Sequence, residues 1–186
     1  CQQHGTIKGD LYVDCSGFRG LLINQTLEVP FVDKSDELFV DTALAVQIPY
    51  ASPDAPIACQ TISTAQRAGW IWDIGLSNRR GVGHVFASQF TDESTAIQDL
   101  QAYVGEDLDQ FNPRKIPIKA GHRQQFWKRN CVAVGLSAGF LEPLEASALM
   151  LVELSANAIV DMLPEHTGLM PVAEQQFNRQ LQLHWQ

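Results

Sequence analysis

Residues 126–163, FWKRNCVAVGLSAGFLEPLEASALMLVELSANAIVDML, hold the pattern on which the fold turns. Asn130 to Gly135 reads as a buried strand that ends at glycine. Leu144, Leu151, Val152, Leu154, Ile159 and Met162 then recur at helical spacing and mark a long helix, which Pro143 is suited to open and Pro164 to close. Upstream the period is two. Leu38 to Tyr50 is rich in Val, Ala and Ile and runs into a Pro-punctuated loop from Ser52 to Pro56. Three further strand-like runs, Ile57 to Gln66, Gly69 to Leu76 and Val82 to Phe90, are separated by Arg67-Ala68 and by residues 77–81, which makes an antiparallel meander. Thr91 is a plausible cap for an amphipathic helix with Ile97, Leu100, Tyr103 and Val104 on one face, and Lys115 to Lys119 alternates again. At the front, Gly9 to Asp14 reads as a strand entering a turn, Cys15 to Gly20. With no repeat, low-complexity tract or linker, a single α+β unit over 1–186 is the economical organisation.

Composition narrows the function. Among 186 residues, 13 Lys plus Arg stand against 21 Asp plus Glu, a formal net charge of −8. Without dense positive charge, neither a nucleic acid nor an anionic membrane is a fitting partner. Apolar runs fall far short of the about 20 residues that a membrane span needs. A 45% hydrophobic and 18% charged composition excludes a disordered chain. The first residues, CQQHGTIKGD, have neither a charged start nor an apolar centre, so the chain is read as an interior piece of a longer cytoplasmic protein. Cys1, Cys15, Cys59 and Cys131 form no CxxC and read as buried thiols.

Two places have the strand–glycine–helix form that favours an anion or a flavin: residues 14–20 and residues 135–143. Each can equally be an ordinary junction. Glu142 and Glu145 flank Pro143-Leu144 at the start of an otherwise apolar helix, either as dipole complements or as a base facing a cavity. Trp70 and Trp72 share one strand face, as plain core or as the wall of an aromatic or cofactor pocket. The five histidines show no metal-ligand spacing, so no metal is expected. Gly135 to Gly139 spells GxSxG, but Phe140-Leu141-Glu142 intervene before the helix, and Asp161 and His166 are too close together for a convincing triad. Arg79-Arg80 is most simply a solvated turn.

These features line up in one family. The stretches GDLYVDCSGFRGLLI (9–23), GWIWDIGLSNRRGVGHVFAS (69–88) and FWKRNCVAVGLSAGFLEPLEAS (126–147) resemble, in order, those of flavin-dependent halogenases of the tryptophan halogenase type. The resemblance implies part of a flavin monooxygenase-like, glutathione-reductase-type FAD fold, with an antiparallel sheet and a long C-terminal helix. Asp14, Gly17 and Arg19 are implied near FAD, and Gly135, Leu136, Ser137 and Pro143 near the flavin ring. Trp70, Trp72 and Ile74 match the WxWxIP signature as the active-site wall, with Gly75 where proline is expected. Glu145 matches the active-site glutamate. Ser147 and Ala148 inherit the halide-binding amides, although Ala146-Ser147-Ala148 replaces Ser-Thr-Gly and removes the glycine freedom at 148.

The implied reaction uses reduced FAD from a separate flavin reductase, O₂ and chloride or bromide to halogenate an electron-rich aromatic, tryptophan- or indole-like, with Glu145 assisting ring attack. Gly75, Ala146 and Ala148 imply a substrate other than free tryptophan. The family's GxGxxG fingerprint and catalytic lysine lie N-terminal to everything present, and its C-terminal helices are largely missing after Gln186. The piece is therefore expected to be inactive alone and not to retain FAD. A flavin-dependent aromatic monooxygenase and a catalytically inactive fragment are the rival readings.

Overall fold

The computed structural model describes residues 5–144 and 146–185. Along the chain, among shorter turns, it forms β1 (Tyr12–Asp14), a 3-10 turn (Gly17–Arg19), β2 (Phe31–Asp33), β3 (Thr42–Pro49), β4 (Ile62–Gln66), β5 (Gly69–Gly75) and β6 (Arg79–Phe86). There follow α1 (Glu93–Val104), β7 (Arg114–Pro117), β8 (Gly121–Arg123), β9 (Trp127–Lys128), β10 (Cys131–Ala133), a second 3-10 turn (Gly135–Ser137), β11 (Gly139–Phe140), α2 (Ser147–Met162) and α3 (Met170–His184). The expected α+β class with an antiparallel sheet and a long C-terminal helix is the one that forms. Two compact units result: the chain up to Lys34 together with Gly121 onward, and Ser35–Ala120.

The Ser35–Ala120 unit is the expected meander, extended on one side. Its antiparallel sheet runs β4-β5-β6-β3-β7. Strand alternation sends Leu44, Val46, Ile48, Ile71, Val82 and Phe86 to one face, where Ala96 and Leu100 of α1 cover them. Each such side chain contributes about 1.5–3 kcal/mol by burial. The cap of α1 is Asp92 rather than Thr91: its carboxylate accepts from the Thr95 amide at 2.7 Å, and Gly105 at φ 80° ends the helix. The other face carries Ala43, Trp70 and Val85 with Trp72 and Ile116 against them. Arg79 and Arg80 do not form a solvated turn. They open β6, the reversal is closed by the Leu76 amide on the Arg79 carbonyl at 2.8 Å, and Arg80 pairs with Asp73 at 2.8 Å.

The other unit holds two small sheets, β1-β10-β9 and β11-β8-β2, and the helix pair. β1 and β10 run parallel, with Asp14 opposite Ala133. Phe126, Trp127, Val132, Leu151, Phe177 and Leu181 form its core. α3 was not expected from the sequence, yet it supplies three of the buried anchors, Ala173, Phe177 and Leu181, one turn apart, behind a proline at its start. Its Asn178 accepts from the Phe126 and Trp127 amides at 2.8 and 2.9 Å and donates to the Trp127 carbonyl at 2.7 Å. The long helix begins at Ser147, four residues after the proline expected to open it. The reason is Ala146, whose left-handed backbone (φ 53°) cannot lie inside a helix, and whose amide donates to the Pro143 carbonyl at 3.2 Å. Among the described residues only Cys131 is a buried thiol. Cys15 and Cys59 are exposed because both sit in loops, and Cys1 lies outside the described residues.

Candidate active site

Asp14 ends β1 and is 2% exposed. One carboxylate oxygen accepts from the Ser16 amide (3.0 Å) and hydroxyl (2.5 Å), the other from the Leu22 (2.9 Å) and Ile23 (2.8 Å) amides. Burial raises its pKa, but the Ser16 hydroxyl and the Ile23, Ser16 and Leu22 amides outweigh it and hold the carboxyl below its ordinary range. With its acceptor positions taken, Asp14 shapes the loop. The surface that the loop offers comes from Gly17, Phe18 and Arg19. Gly17 has φ +73°, and a Cβ there would enter open space. Phe18 is 47% exposed, and Arg19 is exposed at the end of the 3-10 turn.

The second 3-10 turn lies beside this loop. The Val134 amide donates to the Asp14 carbonyl at 3.1 Å, and Phe18 meets Phe140 edge-on at 5.9 Å. Ser137 is 1% exposed, and its hydroxyl donates into the carbonyls of Asp14 and Val134, the latter at 2.9 Å. That hydroxyl is a turn-closing donor with no imidazole partner, which removes the nucleophile-elbow reading. Gly135, at φ +70°, lets the strand reverse, and Leu136 is left 40% exposed. Two left-handed glycines with accessible backbone, bordered by the apolar Phe18 and Leu136, fit a flat aromatic ring system that is hydrogen-bonded at its edge.

Pro143 is half-buried ahead of α2. Ser147 and Ala148 are the first two residues of that helix, so their amides have no acceptor within it. Position 148 is in helical backbone and does not need glycine, because the left-handed residue is Ala146. Glu145 lies outside the described residues.

In the Ser35–Ala120 unit, Trp70 is 9% exposed, Trp72 is half-buried and Ile74 is 40% exposed on one face of β5. The two indoles meet at 6.2 Å and 62°, and the buried Trp70 Nε1 has no hydrogen-bond partner. Gly83, which sequence reasoning passed over, seats Trp72. A Cβ there would fall within the ring at Cζ2 and Cη2 and 2.6 Å from the Leu44 carbonyl. Glycines inside a strand pattern, Gly81 and Gly83 in β6, were the available signal. Gly75 projects to the opposite face from Trp72 and Ile74, where a Cβ would lie 2.8 Å from both the Ala58 carbonyl and Ile57 Cγ2. Its exchange for proline therefore answers to the 56–58 loop and not to the indole face. A cavity of about 350 Å³ on that side is lined by Tyr50, Asp73, Arg80 and Tyr103. Asp73 satisfies Arg80 and accepts from the Tyr103 hydroxyl at 3.2 Å.

Among the described residues no group of three His, Cys, Asp or Glu is placed to hold a metal, and no helix is long and apolar enough to cross a membrane. Solved structures similar to this chain include tryptophan halogenases and other flavin-dependent halogenases. A tryptophan halogenase of Shewanella frigidimarina shares 44% identity at a TM-score of 0.95, covering 99% of this chain and 36% of that one. BrvH of Brevundimonas, a flavin-dependent halogenase, shares 40% at 0.86, covering 94% and 35%. The chain belongs to the tryptophan halogenase family, whose model matches residues 1–186. Tryptophan 6-halogenase SttH of Streptomyces toxytricini is 42% identical over 163 residues, 88% of this chain and 31% of its own length. The chain thus spans about a third of the length of the curated relatives it matches.

Proposed function

We propose that the chain is one partial domain of an FAD-dependent enzyme that halogenates an electron-rich, tryptophan- or indole-like aromatic. The observation that carries this is the family match across residues 1–186. The reading extends to a cytoplasmic protein that consumes reduced FAD from a separate flavin reductase, O₂, and chloride or bromide. When bound, the flavin supplies the oxygen chemistry that oxidises the halide.

The chain's own residues do the rest. Gly17 and Gly135 bring backbone close to the flavin, Arg19 offers a cation at the same loop, and Leu136 and Pro143 border its ring. Asp14 and Ser137 hold those turns in shape. The unpaired amides of Ser147 and Ala148, at the positive end of α2, hold the halide. Trp70, Trp72 and Ile74 wall off water, which would consume the oxidised halogen before the aromatic reaches it. The Glu145 carboxylate stabilises positive charge on the attacked ring and takes the proton from the carbon that gains the halogen.

The test is Glu145→Gln in the longest polypeptide that carries the chain. Halogenated product per flavin oxidised should fall about 10²-fold or more, while hypohalous acid caught by a chemical scavenger persists. Product at the parental rate would overturn the role of Glu145. Hydroxylated product in the parent would turn the reading toward a monooxygenase.

A further inference from the structure

We infer that Arg123 is a positioning residue that locks the two flavin-side turns into one geometry, an inference that rests on the flavin reading above. Arg123 ends β8 and is 6% exposed. Its guanidinium binds carbonyls and an amide oxygen. Nη1 donates to Asn24 Oδ1 at 2.9 Å and to the Val29 carbonyl at 3.2 Å, on the segment that follows the first turn. Nε donates to the Ser137 carbonyl at 3.3 Å, on the second turn. The group lies 5.3 Å over the Phe31 ring. Gly20 makes room for it, since a Cβ there would stand 3.3 Å from Nη2 and 2.9 Å from Asn24 Cβ. The Arg123 amide adds a bond to the Ala138 carbonyl at 2.7 Å.

Burying a guanidinium carries a desolvation cost of several kcal/mol, and an apolar side chain would fill the same space without it. What the guanidinium adds is direction: a planar fork reaches acceptors on two segments about a hundred residues apart and fixes their separation. The Ser137 hydroxyl on the Asp14 carbonyl, with the Asp14 carboxylate on the Leu22 and Ile23 amides, ties the second turn to the first loop by a separate route. Removing Arg123 therefore leaves the segments attached but free to pivot. The flavin contacts assigned to Gly17 and Gly135 need both turns at a fixed spacing, so affinity should respond more than stability.

The experiment uses Arg123→Met, which keeps length and removes the donors, and Arg123→Lys, in the longest polypeptide that carries the chain. FAD affinity is read by quenching of flavin fluorescence, and amide hydrogen exchange is read by mass spectrometry. For Arg123→Met the expected result is an FAD Kd raised about tenfold or more, with faster exchange in 20–29 and 135–138 together. Exchange in β3, β5 and β6 stays unchanged, and Arg123→Lys recovers part of the affinity. Parental affinity and exchange in Arg123→Met would overturn the inference. So would faster exchange across the whole unit in both variants, since that marks a plain core residue. If the parent itself binds no FAD, the flavin reading fails; the exchange data then still decide whether Arg123 joins the two turns, and its role toward flavin is overturned with that reading.

Discussion

Replacing Gly83 by alanine should disturb the indole face of β5 directly. The new Cβ would fall among the Trp72 ring carbons and 2.6 Å from the Leu44 carbonyl of the neighbouring strand, so neither a small rotation nor a backbone shift alone relieves it. Turning Trp72 about 30° from its rotamer costs about 0.5–1.5 kcal/mol, and overpacking a filled site costs about 1–3 kcal/mol. We expect a loss of about 2–3 kcal/mol. Gly81→Ala is the matched control, because on the same face two residues away a Cβ would meet only Gln47 Nε2, at 3.9 Å. That variant should be neutral or gain up to about 1 kcal/mol, as glycine is a poor strand residue. Urea unfolding gives the stability difference if the m-value is unchanged. Fluorotryptophan labelling resolves the four tryptophans by NMR, and the Trp72 signal should move, with Trp70 following through their 6.2 Å contact. Equal stabilities for the two variants with an unmoved Trp72 signal would refute the reasoning that Gly83 seats this ring.

Other expectations concern the buried titratable groups. The folded-state pKa of Asp14 lies below the ordinary 3.8, so its ionisation favours folding above that value and this support disappears as pH falls through the folded pKa. The parent should therefore lose stability below about pH 4 more steeply than Asp14→Asn, as followed by circular dichroism. At pH 7 Asn should already be less stable, by about 1–3 kcal/mol, because it cannot accept from all four donors. Burial first, and the Asp14 charge second, push the Cys131 thiol up to about 11. A thiol reagent at pH 8 should modify Cys15 and Cys59 while sparing Cys131 until the chain is unfolded, which peptide mass mapping reads directly.

The β4-β5-β6 meander was legible because short runs rich in Val, Ile and Trp are separated by turn residues at 67–68 and 77–81. α1 was legible from its apolar residues at helical spacing. α2 was found but started late, because the residue that delays it is an alanine in left-handed backbone, a conformation that no propensity assigns to alanine. α3 was missed because its buried positions are spaced four apart among glutamines and a histidine, too thin a stripe to stand out before packing is known. Within the site, the motifs located the turns but not the division of labour. Asp14 faces its own loop, and Arg123 reaches acceptors nearly a hundred residues away in the chain, a relation that spacing cannot express.

Halogenation of an aromatic ring by the polypeptide that carries this chain, as proposed, can be read from its products. The most direct test supplies the longest polypeptide that carries the chain with FAD, a flavin reductase and its reductant, O₂, bromide and a panel of indoles including tryptophan. The products are read by mass spectrometry. The expected product bears the two-peak isotope signature of bromine on the aromatic ring and is absent without bromide or reduced flavin. Flavin turnover that yields only hydroxylated aromatic, with bromide present and none incorporated, would contradict the proposed halogenation.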